Sequence, residues 1–241
     1  MDDEFQQTKD ALALPQIRQT ALPTIADQVF DELHQRILTL KLPPRTKLTE
    51  MEVATSMGVS RQPVREAFKR LAKLGFLKIR PQSGTTVSLI SKEAVLRARF
   101  IRTALEVQTS RTACIKLTEK EHKVLASTID EQRSAITTND RDRFHALDEQ
   151  FHQQICVLSG VGYVWDLILE NKAQMDRVRM LSLNSSSQQY ALDEHIILYN
   201  AIVDGNQDAA AQATIDHLSR ILFLIEEIKA ENHRWLTDSD C

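Results

Sequence analysis

Between Thr49 and Leu71 the chain carries a pattern that few folds accommodate: two short amphipathic helices around a glycine turn. Thr49 is placed to N-cap the first helix, with Glu52 three residues on as its capping-box partner. Val53, Ala54 and Met57 form one apolar face, and Gly58 supplies a left-handed stop. Ser60 is placed to cap the second helix, with Pro63 in its first turn, where a missing N–H costs little. Val64, Ala67, Phe68 and Leu71 then recur at helical spacing, while Arg61, Gln62, Arg65, Lys69 and Arg70 fall on the other face. An apolar inner face and a basic outer one make a helix-turn-helix whose second helix can enter a DNA major groove. Lys73–Arg80 and Thr85–Leu89 alternate around Pro81-Gln82-Ser83-Gly84, which predicts a β-hairpin and so a wing.

Charge divides the chain the same way. Residues 22–90 hold eleven Lys/Arg against six Asp/Glu, net +5, whereas 91–241 hold seventeen against twenty-three, net −6. The acidic half is expected to face away from DNA phosphate. No apolar run reaches the roughly 18 residues that a membrane span needs. The acidic start Met1-Asp2-Asp3-Glu4 is unlike a signal peptide, and the three scattered cysteines argue against a disulfide framework, so a cytoplasmic location is expected.

The 241 residues allow about two domains. Residues 1–21 are polar and aperiodic and are expected to form a tail. A first helix is predicted over 24–40, with Ile25, Val29, Leu33, Ile37 and Leu40 on one face, stopped by Pro43-Pro44. It opens a winged helix-turn-helix domain over 22–90. Beyond Ser91 no strand pattern is found. Amphipathic helices are predicted over 91–116, 118–137, 140–158, 161–184, 187–204 and 206–232, with the first open to a break. The predicted fold class is therefore mainly α: a winged helix-turn-helix domain followed by an antiparallel bundle of six or seven helices over 91–232. Residues 233–241 are expected to be a second tail.

Inside the bundle, polar groups sit on apolar stripes. Asp148 and His152 share a helical face with Phe144, Phe151 and Ile155; His195 lies near Leu198 and Ile202; His217 lies in the stripe Ala210, Ala213, Ile221, Leu224. Three imidazoles and a carboxylate on three inward faces suit one first-row divalent cation. Each could equally be a core residue hydrogen-bonded to a neighbour. His34, His122, His145 and His233 sit in polar contexts and are expected on the surface.

Gly58-Val59-Ser60-Arg61-Gln62-Pro63-Val64-Arg65-Glu66-Ala67 resembles the recognition-helix signature of the GntR family of bacterial transcription regulators. Arg45 stands where that family usually has glycine, and Ser83 where its wing often has arginine. Leu147–His152, Glu194-His195 through Ala201–Gly205, and Ile215–Leu218 resemble the FCD domain of the family's FadR-like branch. Here too there are departures: Val161-Gly162 replaces a frequent asparagine, and Asn206 a frequent aspartate. The resemblance implies a metal, zinc most readily and nickel or manganese as alternatives, held by Asp148, His152, His195 and His217 beneath a cavity for a small carboxylate effector. One recognition helix reads only a few base pairs, so a homodimer on a palindromic operator is expected, acting as a repressor. Arg102, which with Glu106 matches the family's first-helix pattern, is the expected partner of the effector carboxylate, with Arg177 or Arg179 as substitutes.

Within the DNA-binding set, Arg61 and Arg65 are expected to read bases with Gln62 assisting, beside Ser60 at the helix start. Lys69, Arg70, Arg80 and Thr85 are expected to position the backbone. Two rival readings are a metal-dependent hydrolase-like activity and a DNA-binding protein with a purely structural metal. The enzyme reading lacks a general base, since Glu149 and Glu194 adjoin ligands in sequence and are expected to project elsewhere.

Overall fold

The computed structural model describes residues 23–80, 84–182 and 184–238. The tail expected over 1–21 and the wing-turn residues 81–83 lie outside them. Helix α1 (Ile25–Leu38) begins at Thr24, whose hydroxyl accepts from the Asp27 N–H while the Asp27 carboxylate accepts from the Thr24 N–H. Val29, Leu33 and Ile37 are buried along it; Leu40, expected on the same face, lies past the helix end at a φ of 62°. Helices α2 (Glu50–Met57) and α3 (Arg61–Lys73) follow across Gly58, which adopts a left-handed φ of 65°. The Thr49 hydroxyl accepts from the Glu52 N–H as expected, but Glu52 answers to that hydroxyl rather than to the backbone. Ser60 occupies the N-cap position without a side-chain hydrogen bond.

Strands β1 (Lys47–Leu48), β2 (Leu77–Arg80) and β3 (Gly84–Val87) pair antiparallel in the order β1-β3-β2. One core joins the inner faces of α1–α3 to Phe76, Leu77 and Val87, the arrangement of a winged helix. Truncating its fully buried Phe68 to alanine would remove about 3–5 kcal/mol.

The second half consists of α4 (Lys92–Lys116), α5 (Glu119–Thr137), α6 (Arg141–Leu158), α7 (Tyr163–Leu169), α8 (Ala173–Ser182), α9 (Ser185–Val203), α10 (Gln207–Ser219) and α11 (Ile221–Asn232). Three sequence expectations are corrected. The first helix is continuous, whereas the spans expected over 161–184 and 206–232 are each broken. At the first break Lys172 turns inward between Glu149 and Asp176, an ion cluster that periodicity cannot show. At the second, Arg220 lets the chain pass from one core, with Ala210 and Ala213, to another built on Ile221, Leu224, Ile225 and Ile228. Finally, the segment expected as a C-terminal tail forms β5 (Leu236–Thr237), which pairs in parallel with β4 (Ile90–Ser91) at the interdomain linker. Two residues are too few to show alternation.

Helix α8 joins the two halves. Ala173 packs in the winged-helix core, and Gln174 Nε2 donates to Gly75 O at 2.7 Å. Arg177 donates to Ser88 O at 2.8 Å and to Leu89 O.

Candidate metal centre and DNA-reading face

Asp148 and His152 lie one turn apart on α6, His195 on α9 and His217 on α10, all buried. The bundle brings one ligand atom from each to within 4.8 Å of the others. Each imidazole is anchored from behind. His152 Nδ1 faces Glu106 Oε2 at 2.8 Å, His195 Nδ1 faces Gln132 Oε1 at 2.8 Å, and His217 Nδ1 faces Glu194 Oε2 at 2.9 Å. The Gln132 amide is oriented by its own Nε2 donating to Leu147 O. All three acceptors are oxygens, so each Nδ1 carries its hydrogen and, in the neutral ring, each Nε2 presents a lone pair.

Burial holds His195 and His217 well below the usual histidine range, so both are neutral near pH 7. His152 Nε2 and His217 Nε2 stand 3.2 Å apart. His195 Nε2 and Asp148 Oδ2 are buried without a hydrogen-bond partner. Burial acts to raise the Asp148 pKa, but the adjacent Arg179 guanidinium more than reverses it, keeping the carboxylate ionised. Converging lone pairs beside an anion are the donor set that a divalent cation satisfies, so the residues present fit a metal.

Beside the quartet is a small cavity of about 30 Å³ whose lining includes Asp148, His217, Arg179, Arg220, His145 and Ser187. Arg179 Nη2 donates to Asp148 Oδ1 at 2.6 Å, and Arg220 Nη1 reaches Glu194 at 3.4 Å. Of the three arginines expected to meet a carboxylate, Arg179 therefore lies at this cavity. Arg102 does not: it is fully buried and held by Glu106, at 2.5 Å from Nε. Nor does Arg177, which faces the linker carbonyls. Arg220, missed in the sequence, sits in an otherwise apolar run and gave no periodic signal. Glu194 also departs from expectation, since its carboxylate reaches His217 Nδ1 on the neighbouring α10. Glu149 is half-buried against Lys172, not at the quartet. His145 is buried beside the cavity and His34 is half-buried against Phe30 and Phe76, so neither is the surface residue expected.

In the winged domain Ser60, Arg61, Gln62, Arg65 and Lys69 are exposed on one side of α3. Arg65 forms a bidentate pair with Glu50 at 3.0 and 2.9 Å, and Arg61 joins the same carboxylate at 3.3 Å. Arg70 instead turns back to Asp27 and stacks over Phe30 at 4.1 Å, which suits α1–α3 packing rather than a phosphate contact. Thr85 is buried under the sheet, whereas Arg80 is exposed. Among the described residues no helix is long and apolar enough to cross a membrane.

A winged-helix domain joined to a helical domain is the architecture of a transcription regulator. The chain belongs to the GntR family of bacterial regulatory proteins: the family's sequence profile matches residues 25–87, and the FCD domain profile matches 98–220. It is 35% identical to the HTH-type transcriptional repressor RspR of Escherichia coli K12, over 89% of this chain and 94% of that one. It is 29% identical to a probable D-xylose utilization operon transcriptional repressor of Paenarthrobacter nicotinovorans, over 83% and 88%. Among solved structures, E. coli McbR/YncC superposes with a TM-score of 0.73 at 20% identity, covering 86% of this chain and 99% of that one. The protein is thus a DNA-binding regulator and not an enzyme.

Proposed function

We propose that this chain is a homodimeric repressor whose hold on a palindromic operator is set by a small carboxylate bound beside a divalent metal. The observation that carries the metal is the shared anchoring of His152, His195 and His217 through Nδ1, which turns three buried Nε2 atoms toward the Asp148 carboxylate. A metal there would supply a Lewis-acidic cation to fix a ligand oxygen; zinc suits this donor set best, with nickel and manganese as alternatives. Arg179 and Arg220 would pair with the ligand's remaining charge. The names of RspR and the xylose-operon relative support repression.

The cavity of about 30 Å³ has room for only one or two waters, so a carboxylate must push its walls apart. One wall is α8, whose first turns grip the winged domain through Gln174 and Arg177. Ligand entry and operator geometry thereby share an element, with a coupling on the order of 1–3 kcal/mol. His217→Ala is expected to lose the metal by elemental analysis while keeping operator affinity within about tenfold. Full metal content in that variant would overturn the site. Arg65→Ala is expected to lose operator affinity more than random-DNA affinity, by about 1–3 kcal/mol of discrimination.

A further inference from the structure

Among the described residues Gln132, Gln174 and Gln188 are buried, and they behave differently. Gln132 donates to Leu147 O and accepts from His195 Nδ1, while Gln174 donates to Gly75 O and accepts from Arg177. Gln188, 1% exposed in the first turns of α9, has a hydrogen-bond partner at neither Nε2 nor Oε1. Its neighbours take up the local partners: Ser187 Oγ donates to Ser182 O, and the exposed Gln189 donates to Asp193. A buried donor or acceptor left unpaired forfeits its full hydration, so a carboxamide dry at both ends is costly to keep.

Helical geometry relates this amide to the quartet. Gln188 and His195 lie two turns apart on one face of α9, with Ala191 between them. His195 carries that face to the quartet, while Ala191 and the adjoining Ser187 line the cavity beside it. A rise of about 1.5 Å per residue sets Gln188 roughly 10 Å along the helix from His195. The cavity's two arginines belong to the other end, since Arg179 is bonded to Asp148 and Arg220 reaches Glu194, the residue before His195. Charge is matched at the quartet; at Gln188 the match is a neutral group that both donates and accepts.

We infer that Gln188 reads the far end of the effector, a linear acid of about six carbons with a hydroxyl opposite its carboxylate. The assignment rests on the effector reading above. Its length follows from the span of roughly 10 Å less about 3 Å for the hydrogen bond itself. The cavity of about 30 Å³ holds none of this length, so the walls that part for the ligand also open the way to the amide. An apolar tail would bury the amide still unpaired, and a second carboxylate would meet no cation there.

The test titrates the full chain, dialysed against zinc, with acetate, hexanoate, 6-hydroxyhexanoate and adipate by calorimetry. Wild type is expected to bind 6-hydroxyhexanoate at least about tenfold more tightly than hexanoate or adipate. Gln188→Leu should bind hexanoate at least as well as wild type and lose the preference. Its ligand-free urea midpoint should be no lower than that of wild type, because an apolar side chain of similar size leaves nothing unpaired. Gln188→Met is read in the same way if the branched side chain does not pack. A preference kept in either folded variant overturns the inference, as does a wild type that binds hexanoate equally well or adipate more tightly. A lower midpoint with all affinities reduced in parallel overturns it too, and makes Gln188 a packing residue bonded to buried water. If zinc-loaded wild type binds none of the four acids, the effector reading itself fails. Acetate and hexanoate bound without any preference for the hydroxyl leave that reading standing and remove only Gln188.

Discussion

Glu50 illustrates how one side chain can set the behaviour of two others. Its carboxylate holds Arg61 and Arg65 at the N-terminal end of α3 and is itself drawn below the usual carboxylate range, chiefly by Arg65. The pair lowers the charge offered to nonspecific phosphate and orders both guanidinium groups. Glu50→Gln is therefore expected to raise random-duplex affinity by about two- to fivefold, the scale of an exposed ion pair, and to reduce operator preference in the same titration. Arg45→Gly should relieve its positive φ and raise stability by up to about 1 kcal/mol in urea unfolding, the release of strain being partly offset by a looser unfolded chain. His34 is pushed down to about 4, first by burial and then by Lys172. Its folded value lies below the unfolded one, so its contribution is complete above about pH 6.5 and is lost as pH falls toward 4. His34→Gln should flatten the decline of stability across that window.

At the scale of elements, α8 carries the burden. Its residues alternate between two tasks within one turn: Arg177 faces the linker carbonyls and Arg179 the Asp148 carboxylate. Among the described residues Arg177 has no carboxylate partner, and burial pushes its pKa down to about 10, still well above neutrality, so it stays charged and donates to Ser88 and Leu89. Arg177→Gln should match wild type in the metal content expected of the proposed site, since no quartet ligand depends on that side chain. It should lose most of the effector's influence on operator binding, with a stability cost of about 1–3 kcal/mol for the abandoned carbonyls. Normal coupling in that variant would remove α8 from the route.

Across the whole molecule the two halves differ in charge, and only the basic one carries the exposed arginines of a reading helix. A single helix reads few base pairs, so a dimer of twice the 27.5 kDa chain mass is expected by light scattering, free and on operator. Metal that binds only the folded bundle stabilises it by about 2.7 kcal/mol at a hundred times its dissociation constant. Removal by chelator should therefore lower the unfolding midpoint by roughly 5–10 °C, and His195→Ala should show no such shift.

The sequence by itself determined the helix-turn-helix, because capping residues, Gly58 and the Val64–Leu71 stripe are local signals. It also determined the candidate ligands, since Asp148 and His152 share a face whatever surrounds them. Tertiary structure decided what local periodicity does not encode. Which arginine meets the cavity depends on α8 rotating Arg179 in and Arg177 toward the linker, while Glu106 claims Arg102. The breaks at Lys172 and Arg220 follow from a buried ion cluster and from two adjoining cores, both of which join residues far apart in the chain. The dry amide of Gln188 is likewise a product of packing, since in the polar run Ser185–Tyr190 no local signal separates it from the exposed Gln189.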